Sequence, residues 1–167
     1  MYIIDKSFTN APKSYIKQSL LATLVVAIIL YFFETLGGLV IVAALGASAF
    51  IVFAMPGSIT AEPRRLIGGH TVGALSGSLC CYVFLISPLG KPAIGGEHIF
   101  VWACALSVGL SIFLMTITDT EHPPAAATAL GIVACGWSYQ EVIFVLSCAA
   151  CLALARRFLR SYLRDLV

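Results

Sequence analysis

The residues able to do chemistry are few, and most fall in two short stretches. Glu62, Arg64, Arg65 and His70 make one. Asp119, Glu121 and His122 make the other, followed at once by Pro123 and Pro124. An imidazole titrates near neutrality, so His70 or His122 suits the carriage of a proton. Arg64 or Arg65 suits the attraction of an anion. A purely structural role is also open: the arginines would pair with Glu62, Asp119 and Glu121, and the histidines would cap or bridge helices. His and carboxylate groups are suitable metal ligands, which keeps an enzyme or metal-binding protein built on His70, His122, Asp119 and Glu121 in play. No ligand spacing here demands a metal, and none is assigned. Enzyme signatures are absent. Gly68 to Gly73 has the spacing of a phosphate loop, but Ala74 and Leu75 stand where Lys and Ser or Thr are required. Cys80, Cys81, Cys104, Cys135, Cys148 and Cys151 all lie in apolar runs and read as small packing residues. The lone CxxC of Cys148 and Cys151 is a poor zinc or redox signal.

The elements that must position these groups are membrane helices. The 167 residues are 60% hydrophobic and 11% charged, with a mean hydropathy of +0.99, whereas soluble domains carry about 25% charged residues. Stretches free of Asp, Glu, Lys and Arg cover 18–33, 35–61, 66–90, 98–118, 122–140 and 142–155, and about 20 apolar residues cross a bilayer. A DNA-binding, secreted or soluble enzymatic domain is excluded. The expected fold is all-α: a polytopic bundle of six membrane segments, Ser19–Phe33, Leu36–Met55, Leu66–Ile86, His98–Thr118, Pro123–Gly136 and Gln140–Ala155. One transmembrane domain (19–158) would be flanked by an N-terminal tail (1–18) and a C-terminal tail (159–167). With the N-terminus inside, Lys6, Lys13, Lys17, Arg64, Arg65, Arg156, Arg157, Arg160 and Arg164 are cytoplasmic and only Lys91 is outside, a 9:1 split that the positive-inside rule favours. Four spans, with the second and fifth segments re-entrant, give 8:2. Six crossings and a cell (inner) membrane location, both termini cytoplasmic, are the expectation.

The fifth segment is short. Prolines suit the first helical turn, and Pro123 to Gly136 gives about 21 Å of helix against a hydrocarbon core of about 30 Å. Its amino end should therefore start within the membrane, about 9 Å from the inner surface. Ala47–Met55 (ASAFIVFAM) matches Ala127–Cys135 (ATALGIVAC), with Ser48 facing Thr128. The match falls in the second helix of each three-helix half, which suggests a 3+3 inverted repeat (about 19–86 and 98–158) with the second and fifth helices short or broken. In that register Pro123 equates with Ala43, and Gly37 and Gly38 would permit a break before it. Two electropositive amino ends would then converge on a small-anion site, with Ser48 and Thr128 as hydroxyl ligands or, alternatively, bonded back to their own helices.

Thr118-Asp119-Thr120-Glu121-His122-Pro123-Pro124-Ala125-Ala126-Ala127-Thr128-Ala129-Leu130 resembles the signature of the HPP family of integral membrane proteins. Gly46-Ala47-Ser48-Ala49, Glu62-Pro63-Arg64-Arg65 and Gly68-Gly69-His70 resemble it too. The resemblance covers roughly Leu39 to Gly136. It departs at Ala126, where family members often carry Gly, which bears on close packing there. Plant members are implicated in nitrite movement across the chloroplast envelope, so the resemblance implies a small-anion transport role. The leading expectation is a transporter or channel for a small inorganic anion, nitrite first, with a proton as the coupling ion. Ser48, Ala47, Ala127, Thr128, His122 and Pro123 would bind substrate. His70, Arg64, Arg65, Asp119 and Glu121 would line the pathway or couple protons. The carboxylates oppose a helix-end anion site and would instead cap its N–H groups. A non-transporting scaffold or sensor is the further alternative. Gly69, Gly73 and Gly77 form a small-residue stripe that serves either the interior or a homo-oligomer contact.

Overall fold

A computed structural model describes residues 8, 10–33, 39–87 and 98–167; Glu34, Gly37, Gly38, Lys91 and Glu97 lie outside them. The fold is all-α, with no strand among the described residues. Among these residues six long helices follow in order: α1 (Pro12–Phe33), α2 (Leu39–Ala54), α3 (Pro63–Cys80), α4 (Ile99–Ile117), α5 (Pro123–Cys135) and α6 (Tyr139–Leu159). A 3-10 turn, Ile59–Ala61, precedes α3, and a wider π-helical stretch, Cys81–Ile86, extends it. The starts are local in origin. Pro63 and Pro123 occupy first turns, where a missing N–H costs nothing, and Ser138 caps α6 by accepting from the Gln140 N–H. Gly136, at φ 86°, ends α5, a conformation glycine adopts without strain. Four helices are long and apolar enough to cross a bilayer: Pro12–Phe32, Pro63–Ile86, Ile99–Ile117 and Tyr139–Tyr162; α2 and α5 are the short pair. Leu20, Leu24, Ile28, Phe113 and Leu154 are exposed, an apolar exterior suited to lipid and hostile to water.

One pole gathers the basic residues that are described. There the start of α1, the end of α2, the start of α3, the end of α4, the start of α5 and the end of α6 meet, so consecutive helices alternate in direction. The contacts that join them are Gln18 Nε2 to the Phe53 carbonyl, 2.6 Å, His122 to Thr60, Arg64 to the Thr118 carbonyl, 3.2 Å, and Arg156 Nη2 to the Pro56 carbonyl, 2.7 Å. The segment expected as a C-terminal tail is docked here. Leu166 N–H donates to the Ala54 carbonyl (2.9 Å), Tyr15 donates to the Leu166 carbonyl (2.7 Å), and Gln18 bonds both the carbonyl and the N–H of Arg164. These bonds satisfy carbonyls that the end of α2 would otherwise leave open. Helix α1 also begins at Pro12, inside the expected N-terminal tail. Lys17 stays compatible by reaching to 5.3 Å over the Tyr162 ring.

The convergence of two amino ends is corrected by the structure. Helix α2 runs unbroken through Ala43 from Leu39, and it packs antiparallel to α5, with Val40 and Ile41 against Gly131. Its amino end therefore lies near the far end of α5, about 12 Å along the axis from Pro123. The physical reason is that proline, which forces the start of α5, has no counterpart in α2.

The glycine stripe is occupied within the chain. A Cβ on Gly69 would lie 2.6 Å from His122 Cβ, one on Gly77 would lie 2.6 Å from the Ala129 carbonyl oxygen, and one on Gly73 would overlap the Ala125 carbonyl oxygen. These glycines let α3 and α5 touch backbone to backbone, so a homo-oligomer contact would need another face. Ala126 is only half-buried and is not among the neighbours these glycines meet; Ala125 takes that place. Gly73→Ala should thus lower stability by about 1–3 kcal/mol, because backbone must shift. Gly109→Ala, where nothing lies within 4 Å, should be neutral or stabilising by up to about 1 kcal/mol. Thermal unfolding in detergent, compared between the two variants, checks the contrast.

Candidate functional site

The tight seam between α3 and α5 encloses a polar cluster. His70 comes from α3, Ser48 from α2, Thr128 from α5 and His122 from the residue before α5; all four have 0% exposure. Ser48 Oγ lies 2.9 Å from Nε2 of His70, 2.9 Å from Nε2 of His122 and 3.0 Å from the Ala44 carbonyl. The outer nitrogens are also engaged: Nδ1 of His70 is 2.8 Å from Thr128 Oγ1, and Nδ1 of His122 is 2.9 Å from the Thr60 carbonyl. The ring centroids are 5.1 Å apart. Ser48 precedes the end of α2 by six residues, so the cluster sits about 9 Å inside that end.

Proton counting orders this cluster. A carbonyl only accepts, so Nδ1 of His122 carries the proton it gives to Thr60. A neutral His122 then has a bare Nε2, which accepts from Ser48 O–H. Having spent its proton, Ser48 accepts from Nε2–H of His70, and the bare Nδ1 of His70 accepts from Thr128 O–H. One direction runs through all the groups, from Thr128 to Thr60, and both nitrogens of each ring and both hydroxyls are satisfied without charge. Such satisfaction is what a buried network requires.

Below the cluster, at the basic pole, lies an ion network. The Arg65 guanidinium is buried and bonds both Asp119 and Glu121. Arg64, exposed, reaches Asp119 at 3.3 Å. The turn that carries these carboxylates is non-helical, open at Asp119 but covered by protein at Thr120 and His122. Asp119 has φ 54°, Thr120 N–H donates to the Met115 carbonyl (3.0 Å), and Gly68 and Gly69 press on Thr120 and His122. Irregular backbone at membrane depth survives under such cover. His122 is extended, as a residue before proline prefers.

The sequence as a whole matches the family model described as the transmembrane region of HPP proteins, over residues 9–163. The chain belongs to the HPP transmembrane family. Two Dictyostelium discoideum relatives, each named simply a transmembrane protein, are 41% identical over 54% of this chain and 40% identical over 50% of it. The matches cover 29% and 24% of those proteins' own lengths, so the chain spans well under two thirds of the relatives it matches. No solved structure matches.

In this HPP chain the expected site residues divide. Ser48, Thr128, His70 and His122 come together. Ala47 and Pro123 do not: both are exposed, because they lie on helix faces turned from the cluster. Ala127 is half-buried and about 100° around the helix from Thr128. Arg64, Arg65, Asp119 and Glu121 form the separate ion network, so the carboxylates face arginine rather than capping α5 or joining the histidines. Among the described residues no group of three or more His, Cys, Asp or Glu is placed to hold a metal. The Thr60 carbonyl, which fixes the tautomer of His122, was not foreseen, since any residue's backbone would serve.

Proposed function

We propose that this HPP protein is a membrane transporter for a small inorganic anion, with nitrite as the first substrate to test and a proton as the coupling ion. The carrying observation is the Ser48, His70, His122 and Thr128 cluster, fully buried where α3 meets the two short helices. Two hydroxyls and two imidazoles, once released from one another, would supply donors on the scale of a small anion, at a depth where ionisable groups mark functional sites. Further support comes from the antiparallel contact of α2 and α5. The positions matched in the sequence repeat, Ser48 and Thr128, take the two nitrogens of one ring, as a 3+3 inverted repeat would arrange them. The basic pole is read as cytoplasmic, with both termini inside the cell membrane, by the positive-inside rule.

Full burial means that this conformation is closed, and access requires a packed segment to move, the α4–α5 turn that carries His122 being the candidate. The same closure favours a second reading, a membrane scaffold or small-ligand sensor. Flux in proteoliposomes separates them. Nitrite uptake above protein-free vesicles is expected, reduced about tenfold or more by Ser48→Ala or Thr128→Ala, each of which removes a hydroxyl. Absence of protein-dependent flux for nitrite, nitrate, chloride and formate under any proton gradient would refute transport and leave the second reading.

A further inference from the structure

We infer that the buried cluster is a one-proton site, and that a monovalent anion enters it only together with that proton, which makes transport electroneutral. The inference rests on the transport reading and specifies its coupling. Ser48 Oγ has three partners within 3.0 Å, the Ala44 carbonyl and two imidazoles, but a single proton to give. When Ser48 donates to His122, the cluster is neutral. If Ser48 turns its proton to Ala44 instead, its oxygen accepts from both rings, and His122 takes an added proton on Nε2. The resulting imidazolium donates to Ser48 and to Thr60, and no heavy atom has moved. The added proton comes from water on one side and leaves to water on the other. The charge of the cluster goes from zero to plus one and back.

Among the described residues, no other positive charge is free beside the cluster. On α3, Arg64 and Arg65 face Asp119 and Glu121 of the α4–α5 turn, two charges against two. The described parts of α2 and α4 carry no Asp, Glu, Lys, Arg or His. On α6, Arg156 is turned to the Pro56 carbonyl. The amino end of α5 is weakened as an anion ligand too, because Pro123 and Pro124 lack the N–H groups that such a site uses. A lone anion at 0% exposure would be an unpaired buried charge, which is strongly disfavoured. Paired with the imidazolium of His122, it brings no net charge. One anion therefore travels with one proton.

The test uses the whole protein in proteoliposomes with nitrite, the pH gradient and the membrane potential being set independently and the uptake of protein-free vesicles subtracted. The initial rate should rise with acid outside, stay unchanged when potassium and valinomycin impose a potential of either sign, and consume one external proton per nitrite. An uncoupled anion would respond instead to potential, with about tenfold accumulation for every 60 mV. Protein-dependent uptake that follows potential and consumes no proton overturns this inference while transport stands. No protein-dependent uptake at all overturns transport and the inference with it.

Discussion

His122→Asn and His122→Gln should each lose proton-driven nitrite uptake, by about a hundredfold or more, the usual cost of removing a positioned proton-transfer group. The two replacements are geometrically opposite. The Asn amide nitrogen reaches the place of Nδ1 and keeps the bond to the Thr60 carbonyl, whereas the Gln amide reaches the place of Nε2 and keeps the bond to Ser48. Each preserves one half of the native contacts, and neither amide takes up a proton. A role limited to packing or bridging predicts two different results, set by which contact matters. A role in carrying the proton predicts the same loss in both, with the residual uptake no longer steepened by acid. The pH dependence of initial uptake rate in the two variants decides the matter. Retention of wild-type pH dependence in either one would exclude His122 as the carrier.

Much of this arrangement was legible because its causes are local. Paucity of charge forces membrane helices, a paired proline forces the start of α5, and the match of Ser48 with Thr128 brought forward the two hydroxyls that meet His70. A local signal does not settle a three-dimensional relation. The nine-residue match pairs Ser48 with Thr128, and both bond His70; its extension back equates Ala43 with Pro123, which the structure does not. Nothing at Ala43 stops a helix, so α2 continues to Leu39 and its amino end rises away from that of α5. The glycine stripe signalled close approach but not its partner, which only the position of α5 supplies. The docking of Gln18 on Phe53 and Arg164 had no signal, because its acceptors are backbone groups that any sequence provides. Arg64 and Arg65 are the plainest case: neighbours with the same charge, read as one unit, that the structure separates by burial.

That separation yields a large contrast. Arg65→Met should destabilise the protein by about 3 kcal/mol, and Arg64→Met by no more than about 1 kcal/mol. The Arg65 side chain is 10% exposed and bonds two carboxylates; hydrogen bonds to charged groups contribute about 1.5–3 kcal/mol each, and removing one partner of a buried pair costs about 3–5 kcal/mol. The lower end applies, because Asp119 and Glu121 are 58% and 39% exposed and water replaces part of what they lose. The Arg64 side chain is 67% exposed, where an ion pair gains about 0–1 kcal/mol. Methionine keeps the apolar stem of either arginine, so packing is nearly held constant. Both variants remove the same single positive charge from the same pole, so any effect through membrane orientation is shared. Burial differs, and with it the number of carboxylates bonded, two for Arg65 and one for Arg64. Adding Glu121→Gln to Arg65→Met should restore about 1 kcal/mol, since the orphaned carboxylate is then neutral, and adding it to Arg64→Met should restore nothing. Unfolding measured in detergent across these four proteins would show equal losses for the two arginines if the network at Arg65 were no more than a surface pair.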